Sequence, residues 1–503
     1  MSTEPVTDHP GAPTLPDGLV AVVKRDCPTC TLVAPVLGEL ADGEAPLTVY
    51  SQDDPAFPEG VAVVDDRDLD VSWHHDIETV PTLLKVRDGA EVARVVGWSR
   101  EQWVGLTGVD DLGAGLPDWR PGCGSLSVDP VIAERLAVRF SGSVLRSRRV
   151  ELAALEDDIE AMFDRGWTDG LPVVPPTEAR VLRMLEGTDR APDEVVAVVP
   201  PELVECTVEK VAVNAVMAGC RPEYLPVVLA CLEAACTDEF NAHGLLCTTY
   251  SAGPVVIVNG PIARAIGMNS GVNALGQGNR ANSTIGRALQ LVIRNVGGGR
   301  PGEIDRAAHG NPGKLSFCFA EDEDGSPWEP LSVARGIAPG DSAVTLFPGE
   351  GMRIVVDQLS RDPESLARSF AAYLRTVAHP KLALAFDAVL VVGPEHARVF
   401  ADAGWSRQRL LEELHSVLQI PGAEMIRGAN GIAEGLPVEL EGRDIPKFRP
   451  DGILVVHAGG TAGMFSAIIG GWANGATGST PTTHRIATST DRTAVAVGEV
   501  APA

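Results

Sequence analysis

Aromatic residues make up only 5% of this 503-residue chain, and basic residues are outnumbered, 41 against 68 acidic, giving a formal net charge of −27. A surface that acidic repels phosphate backbones and anionic headgroups, which argues against nucleic-acid or membrane-surface roles. The chain also lacks a long apolar run. Its longest uncharged stretch, residues 452–484, is diluted by Gly, Thr, Ser and Asn, so no membrane span is expected. The opening MSTEPVTDHPGAPTLPDG has neither a basic nor an apolar leader region, so it reads as a Pro-rich tail and a cytoplasmic location is expected. Nine cysteines is an odd number, at variance with a closed disulfide framework. In a reducing compartment they are more often reactive, metal-binding or simply buried. The 45% apolar content is ordinary for a globular protein, and the length suggests two to four domains at about 150 residues each.

The first strong pattern lies at residues 18–41. GLVAVV (18–23) suits a buried strand, and DCPTCTLVAPVLGELA (26–41) an amphipathic helix kinked at Pro35. Cys27 then falls at the helix N-terminus, where free N–H groups stabilise a thiolate. Cys30 follows one turn later on the same face, close enough to close a redox-active disulfide. Farther on, TVPTLL (79–84) enters a strand through a proline, RDGA (87–90) makes a hairpin turn, and EVARVVG (91–97) returns. Residues 17–108 resemble the thioredoxin family, with CPTC as the redox motif. The resemblance implies a thioredoxin fold, a cis bond before Pro81 lying against the cysteine pair, and Pro35 as the family's helix proline. Asp26 departs from the family's tryptophan, and a carboxylate there is expected to raise the Cys27 pKa. The competing reading is a docking module with inert cysteines.

Residues 1–16 are expected to form a flexible tail, and 109–165 a linker followed by helices, with Asp129 and Pro130 opening one of them. Cys123, between glycines, is either a resolving thiol or incidental. Residues 166–490 form a second domain without an internal repeat, and 491–503 a terminal tail. Strands at 254–259, 388–393 and 452–457 alternate with helices at 177–185, 206–236 and 406–418, so the fold class expected is α/β, an N-terminal thioredoxin fold followed by a large α/β or α+β domain. Four segments, GWTDGLPVVPPTEARV, VAVNAVMAGCRPEYLPVVLA, GPVVIVNGPIARAIGMNSGVNALGQGNRANSTIGRAL and GKLSFCFAEDEDGSPWEPLSVARG, resemble a bacterial family associated with small UGSC selenocysteine-or-cysteine proteins. That resemblance implies a redox-active thiol partner.

Three features of this domain carry candidate chemistry. Cys220, beside Arg221, and Cys318, ahead of Glu321, are candidate catalytic thiols with Glu321 as general acid; the alternative is two small buried hydrophobes. Asn269, Asn279, Arg280, Asn282 and Arg287, with a helix opening at Ser283, suit a small anionic substrate, or else a set of turns and caps. His457 ends a strand that runs into a Gly-rich turn and an apolar helix-like segment, and His484 is a candidate to close over the same site. His243 and Cys247, four residues apart, are weak metal candidates without a recognisable third ligand, so no metal is expected. The expected function is a thiol-dependent oxidoreductase. The C-terminal domain acts on a small, anionic molecule, and the Cys27–Cys30 pair relays reducing equivalents, reset by a disulfide reductase or low-molecular-weight thiol. A non-redox lyase or hydrolase with a docking module, and a redox-sensing scaffold, are the alternatives. Many apolar helices also point to a homo-oligomer.

Overall fold

The computed structural model describes residues 12–142, 145–153, 156–425, 442–475 and 478–487. The expected tail at 491–503, and residues 1–11 of the first, lie outside them. The chain divides into two compact units after residue 143, each a mixture of helices and sheets, as the α/β expectation requires.

In the first unit, β1 (Gly18–Val23), β2 (Leu47–Ser51), β3 (Val63–Asp65), β5 (Thr82–Arg87) and β6 (Ala90–Val96) form one sheet, ordered β3-β2-β1-β5-β6. The first three strands are parallel, β5 runs against them, and β6, antiparallel to β5, returns to their direction. Central β1 is apolar throughout because both of its faces are covered. The helix Pro28–Ala41 follows it and buries Val33, Val36, Leu37 and Leu40. Between β3 and β5, the two-residue β4 (Thr79–Val80) ends at a cis Val80–Pro81 bond.

Residues 109–127, expected to be a linker, belong to this unit, as does the helix that Asp129 and Pro130 open as expected. After β7 (Trp98–Ser99), β8 (Trp119–Arg120) pairs with it, and β9 (Cys123–Gly124) pairs antiparallel with β4. The Gly and Pro content looks like a linker, but the extended backbone is stitched down. Trp98 Nε1 donates to Pro117 O (2.6 Å), Thr29 Oγ1 to Pro121 O (2.7 Å) and Lys24 Nζ to Gly124 O (2.8 Å). The helix Pro130–Phe140 then stacks Phe140 on Trp73. Leu15 is also buried, so the expected flexible tail ends before it.

The second unit begins with helices and the hairpin β10 (Val195–Val199) and β11 (Val204–Thr207). Its main sheet comprises β12 (Gly253–Asn259), β13 (Cys318–Ala320), β14 (Ala343–Val356), β15 (Phe386–Val392), β18 (Ile453–His457) and β19 (Phe465–Ala473), with β20 (Thr482–Arg485) against β14; β16 (Gln419–Pro421) and β17 (Asp444–Pro446) pair separately. Phe465–Ala473 was expected to be helix-like. It is a strand whose continuous apolar run, buried on both faces, has no period to distinguish it from a buried helix.

The sheet contains an internal repeat that the sequence reading did not find. Its order, β13-β12-β14-β19-β15-β18, reads the same from both ends when β12, β13 and β14 are exchanged for β15, β18 and β19. Each half is a strand, helices, a parallel strand, then an antiparallel one. The trace in sequence is short: VIVNGP at 256–261 and VLVVGP at 389–394. Helices cover the outer face of each half. Val256 and Val258 pack with helices Val208–Ala218, Leu225–Ala235 and Arg280–Asn295, whereas Leu390 and Val392 pack with Pro363–Leu374, Pro394–Asp402 and Arg407–Val417. Alternate residues, Val255, Ile257, Val389, Val391, Leu454 and Val456, share one inner cluster with Phe319 and Phe347. Around that cluster the sheet curls until its edges meet, where Asp322 N donates to His457 O at 2.8 Å.

Candidate functional site

Cys27 is the N-cap of helix Pro28–Ala41, in extended conformation, and its sulfur accepts from Cys30 N (3.2 Å). As a thiol it also donates to Val80 O (3.5 Å), the carbonyl of the cis Val80–Pro81 bond. Cys30 lies fully buried one turn along, and both are free thiols here. Cys123 stands opposite Val80 in the β4–β9 pair, which brings a third thiol to the Cys27 centre. Hydrogen bonds from the Cys30 thiol, then the Cys123 thiol, then backbone N–H groups outweigh burial and lower Cys27 to about 5. Burial first, then the adjacent Cys27 sulfur, push Cys30 far above the ordinary thiol range, and the same two causes raise Cys123. Asp26 was expected to raise Cys27. It is exposed and is not among the main causes acting on Cys27, which are the two thiols, burial and the backbone donors.

The C-terminal thiols have the opposite environment. Cys220 and Cys318 do come together, with Cys231, but inside the apolar core beneath helix Arg280–Asn295. Burial pushes Cys220 up to about 12, while Cys231 and Cys318 are raised further. The cations influencing Cys220 are Arg280 and Arg287, not the exposed Arg221. These are packing residues in this structure. His243 and Cys247 lie on the short helix Ala242–Cys247, and among the described residues no group of three or more side chains could hold a metal.

The amide-rich segment spends its polar groups on itself. Asn279, not Ser283, caps the helix, accepting from Asn282 N (3.0 Å) and donating to Gly267 O (2.8 Å). Asn282 holds Asn269 O and Ala274 O, and Asn269 spans to Val272 O. Arg280 donates to Gly219 O, and Arg287 forks onto Asp169 at 2.7 and 2.8 Å. The segment is a stapled turn.

Glu321 and His457 do meet, with residues the sequence reading overlooked. Register extends the β12–β13 pairing so that Glu321 sits beside Asn259, just as His457 sits beside Val392 in β15–β18. The two therefore occupy equivalent strand ends of the repeat. Glu321 accepts from Asn259 Nδ2 (2.7 Å), Leu331 N (2.7 Å) and His457 N (3.4 Å), with Arg407 at 3.7 Å. Burial raises its pKa against these donors. His457 Nδ1 meets Val392 O at 2.9 Å, which places the proton on Nδ1 and leaves Nε2 as an acceptor, 3.8 Å from Asp322. Burial lowers its pKa, Asp322 opposing. Asn259 Oδ1 and Arg407 Nε and Nη1 are buried without a partner among the described residues. A cavity of about 480 Å³ is lined by His457, Asp322, Arg398, Gly459, Gly460 and Thr461. Another of about 430 Å³ reaches Glu323, which binds Asn259 Nδ2 and Gly260 N. His484 sits on β20 opposite Val344, and no hydrogen bond or ion pair joins it to this cluster. The detectable signals were a lone Asn closing an apolar strand and the EDED run at 321–324.

No known protein family, no curated protein and no solved structure matches this chain.

Proposed function

We propose that the chain is a thiol–disulfide oxidoreductase whose first unit is a thioredoxin-like module with Cys27 as its nucleophile. The observation that carries this reading is a buried thiol at a helix N-cap, accepting from Cys30 N, beside a second cysteine and against the cis Val80–Pro81 bond; thiol and backbone donors there lower its pKa to about 5. Such a group is ionised at neutral pH, and the thiolate is the attacking species. It opens an external disulfide, releases one thiol, and forms a mixed disulfide on Cys27. Attack by Cys30 on the Cys27 sulfur then releases the second thiol, and a reductase or low-molecular-weight thiol resets the pair. Exchange with hydroxyethyl disulfide, followed as thiol release, tests it. The wild-type chain is expected to turn over and Cys27→Ser to lose turnover; equal rates overturn the reading.

The second unit is read as the small-molecule domain, working without cysteine chemistry. Support comes from the Glu321–His457 cluster at the carboxyl ends of parallel strands, where α/β sheets take their ligands. His457 Nε2 and Asp322 offer acceptors to a ligand's hydroxyl or N–H, and Arg398, lining the same cavity, offers a cation to an anionic group. Two titratable groups pushed by burial toward their neutral forms are suited to exchanging protons with a bound molecule.

A further inference from the structure

We propose that Cys123 is a resolving thiol of the Cys27 centre, closing a Cys27–Cys123 disulfide that competes with the Cys27–Cys30 pair. The inference rests on the thiol-exchange reading above and goes beyond it by adding a second intramolecular product.

The geometry is that of a built partner. Cys123 is delivered by a strap, residues 119–124, held at both ends by pairing: β8 on β7 and β9 on β4. Three further hydrogen bonds fix its position. Thr29, inside the CPTC motif, holds Pro121 O; Lys24, at the end of β1, holds Gly124 O; and Ser125 N donates to Glu78 O at 2.9 Å. Gly122 fits where no side chain could, since a Cβ there would lie 2.3 Å from Thr79 Cγ2 and 2.8 Å from Val80 O. That close approach sets Cys123 opposite Val80, whose carbonyl also receives the Cys27 thiol. The Cys27 sulfur is also near enough to Cys123 to raise its pKa. Cys27 is only 1% exposed, and Cys30 and Cys123 flank it, so a mixed disulfide formed there has both as neighbours.

The two candidate resolving thiols differ in environment. Cys30 is fully buried, and attack from it requires a thiolate in an apolar setting. Cys123 is half-buried; burial and the Cys27 sulfur raise its pKa, but less than they raise that of Cys30, and the Lys24 ammonium opposes them. The step balances as follows. Cys27 carrying a glutathionyl group is attacked at its own sulfur by the Cys123 thiolate. The Cys27–Cys123 bond forms, the Cys27–glutathione bond breaks, and glutathione leaves as thiolate, taking up the proton that Cys123 lost. The oxidising equivalents come from oxidised glutathione. An intramolecular thiol acts at an effective concentration in roughly the millimolar range or above, so resolution should outpace release by dilute external thiol.

The test uses full-length Cys30→Ser and Cys30→Ser/Cys123→Ser proteins. Each is treated with oxidised glutathione, quenched with acid and alkylating agent, digested without reductant and read by peptide mass. Cys30→Ser is expected to yield a Cys27–Cys123 cross-linked peptide and at least about tenfold less glutathionylated Cys27 than the double variant. Equal glutathionylation of Cys27 in both, without the cross-link, overturns the role of Cys123 and leaves Cys27 exchange standing. No glutathionylation or cross-linking of Cys27 in either variant overturns the exchange reading and, with it, this inference.

Discussion

Cys30→Ala removes the largest single contributor to the low Cys27 pKa, the hydrogen bond from the Cys30 thiol. A hydrogen bond to a charged acceptor contributes about 1.5–3 kcal/mol. At 1.36 kcal/mol per pKa unit that corresponds to a rise of about 1–2 units. The Cys27 midpoint should therefore move from about 5 to about 6–7, while the Cys123 thiol and the backbone N–H groups still hold it below the ordinary value of 9.0. Cys30→Ser keeps a donor at that position and should move it less. The assay is the pH dependence of Cys27 alkylation by iodoacetamide, read on the Cys27 peptide so that the other cysteines do not interfere. Reactivity rises with pH through the midpoint because only the thiolate reacts. Folding lowers this pKa, so the thiolate's contribution to stability is fully present above about 9 and is lost as the pH falls toward about 5. An unmoved midpoint in Cys30→Ala, or an equal shift in Cys30→Ser, would refute the donor argument.

Gly122→Ala forces a Cβ into Thr79 and the Val80 carbonyl, so the strap should lift and Cys27 alkylation at neutral pH should accelerate several-fold; an unchanged rate would show that the strap does not limit access. Asp322 favours protonated His457, so Asp322→Asn should lower the His457 titration midpoint further, followed by the ring Cε1 proton in NMR; an upward shift would contradict the geometry. Asp169→Asn breaks the forked pair with Arg287 and should cost about 3 kcal/mol in denaturant unfolding at neutral pH. Burial pushes the Asp169 carboxyl up but Arg287 brings it below the usual range, so that contribution is present above the ordinary carboxylate pKa and fades as the pH falls through the lowered value.

Local elements were largely legible because they depend on neighbours in sequence. GLVAVV, the Cys27 cap, the Thr177 cap of helix Glu178–Leu185 and the two helices flanking Gly219 all follow from apolar runs and capping side chains. What escaped was decided by distant partners. Residues 119–124 have the composition of a linker, and only the carbonyl acceptors taken up by Thr29 and Lys24 make them structure. The cysteines at 27, 220 and 318 are all buried, but only at Cys27 do donors outweigh that burial, which short-range pattern does not reveal. Glu321 was identified beside the wrong partner, since its neighbours Asn259, Leu331 and His457 are brought together only by the curl of the sheet. The repeat was hidden because its halves retain a strand order while sharing only a short Gly-Pro motif.

That repeat has a consequence for chemistry. A symmetric pair of separate chains must place two copies of one residue at equivalent strand ends: two glutamates would repel there, and two histidines would present the same ring to each other. Joining both halves in one chain removes that obligation. One strand end can hold a carboxyl group and its counterpart an imidazole, so a framework laid down twice supports a centre with two different hands.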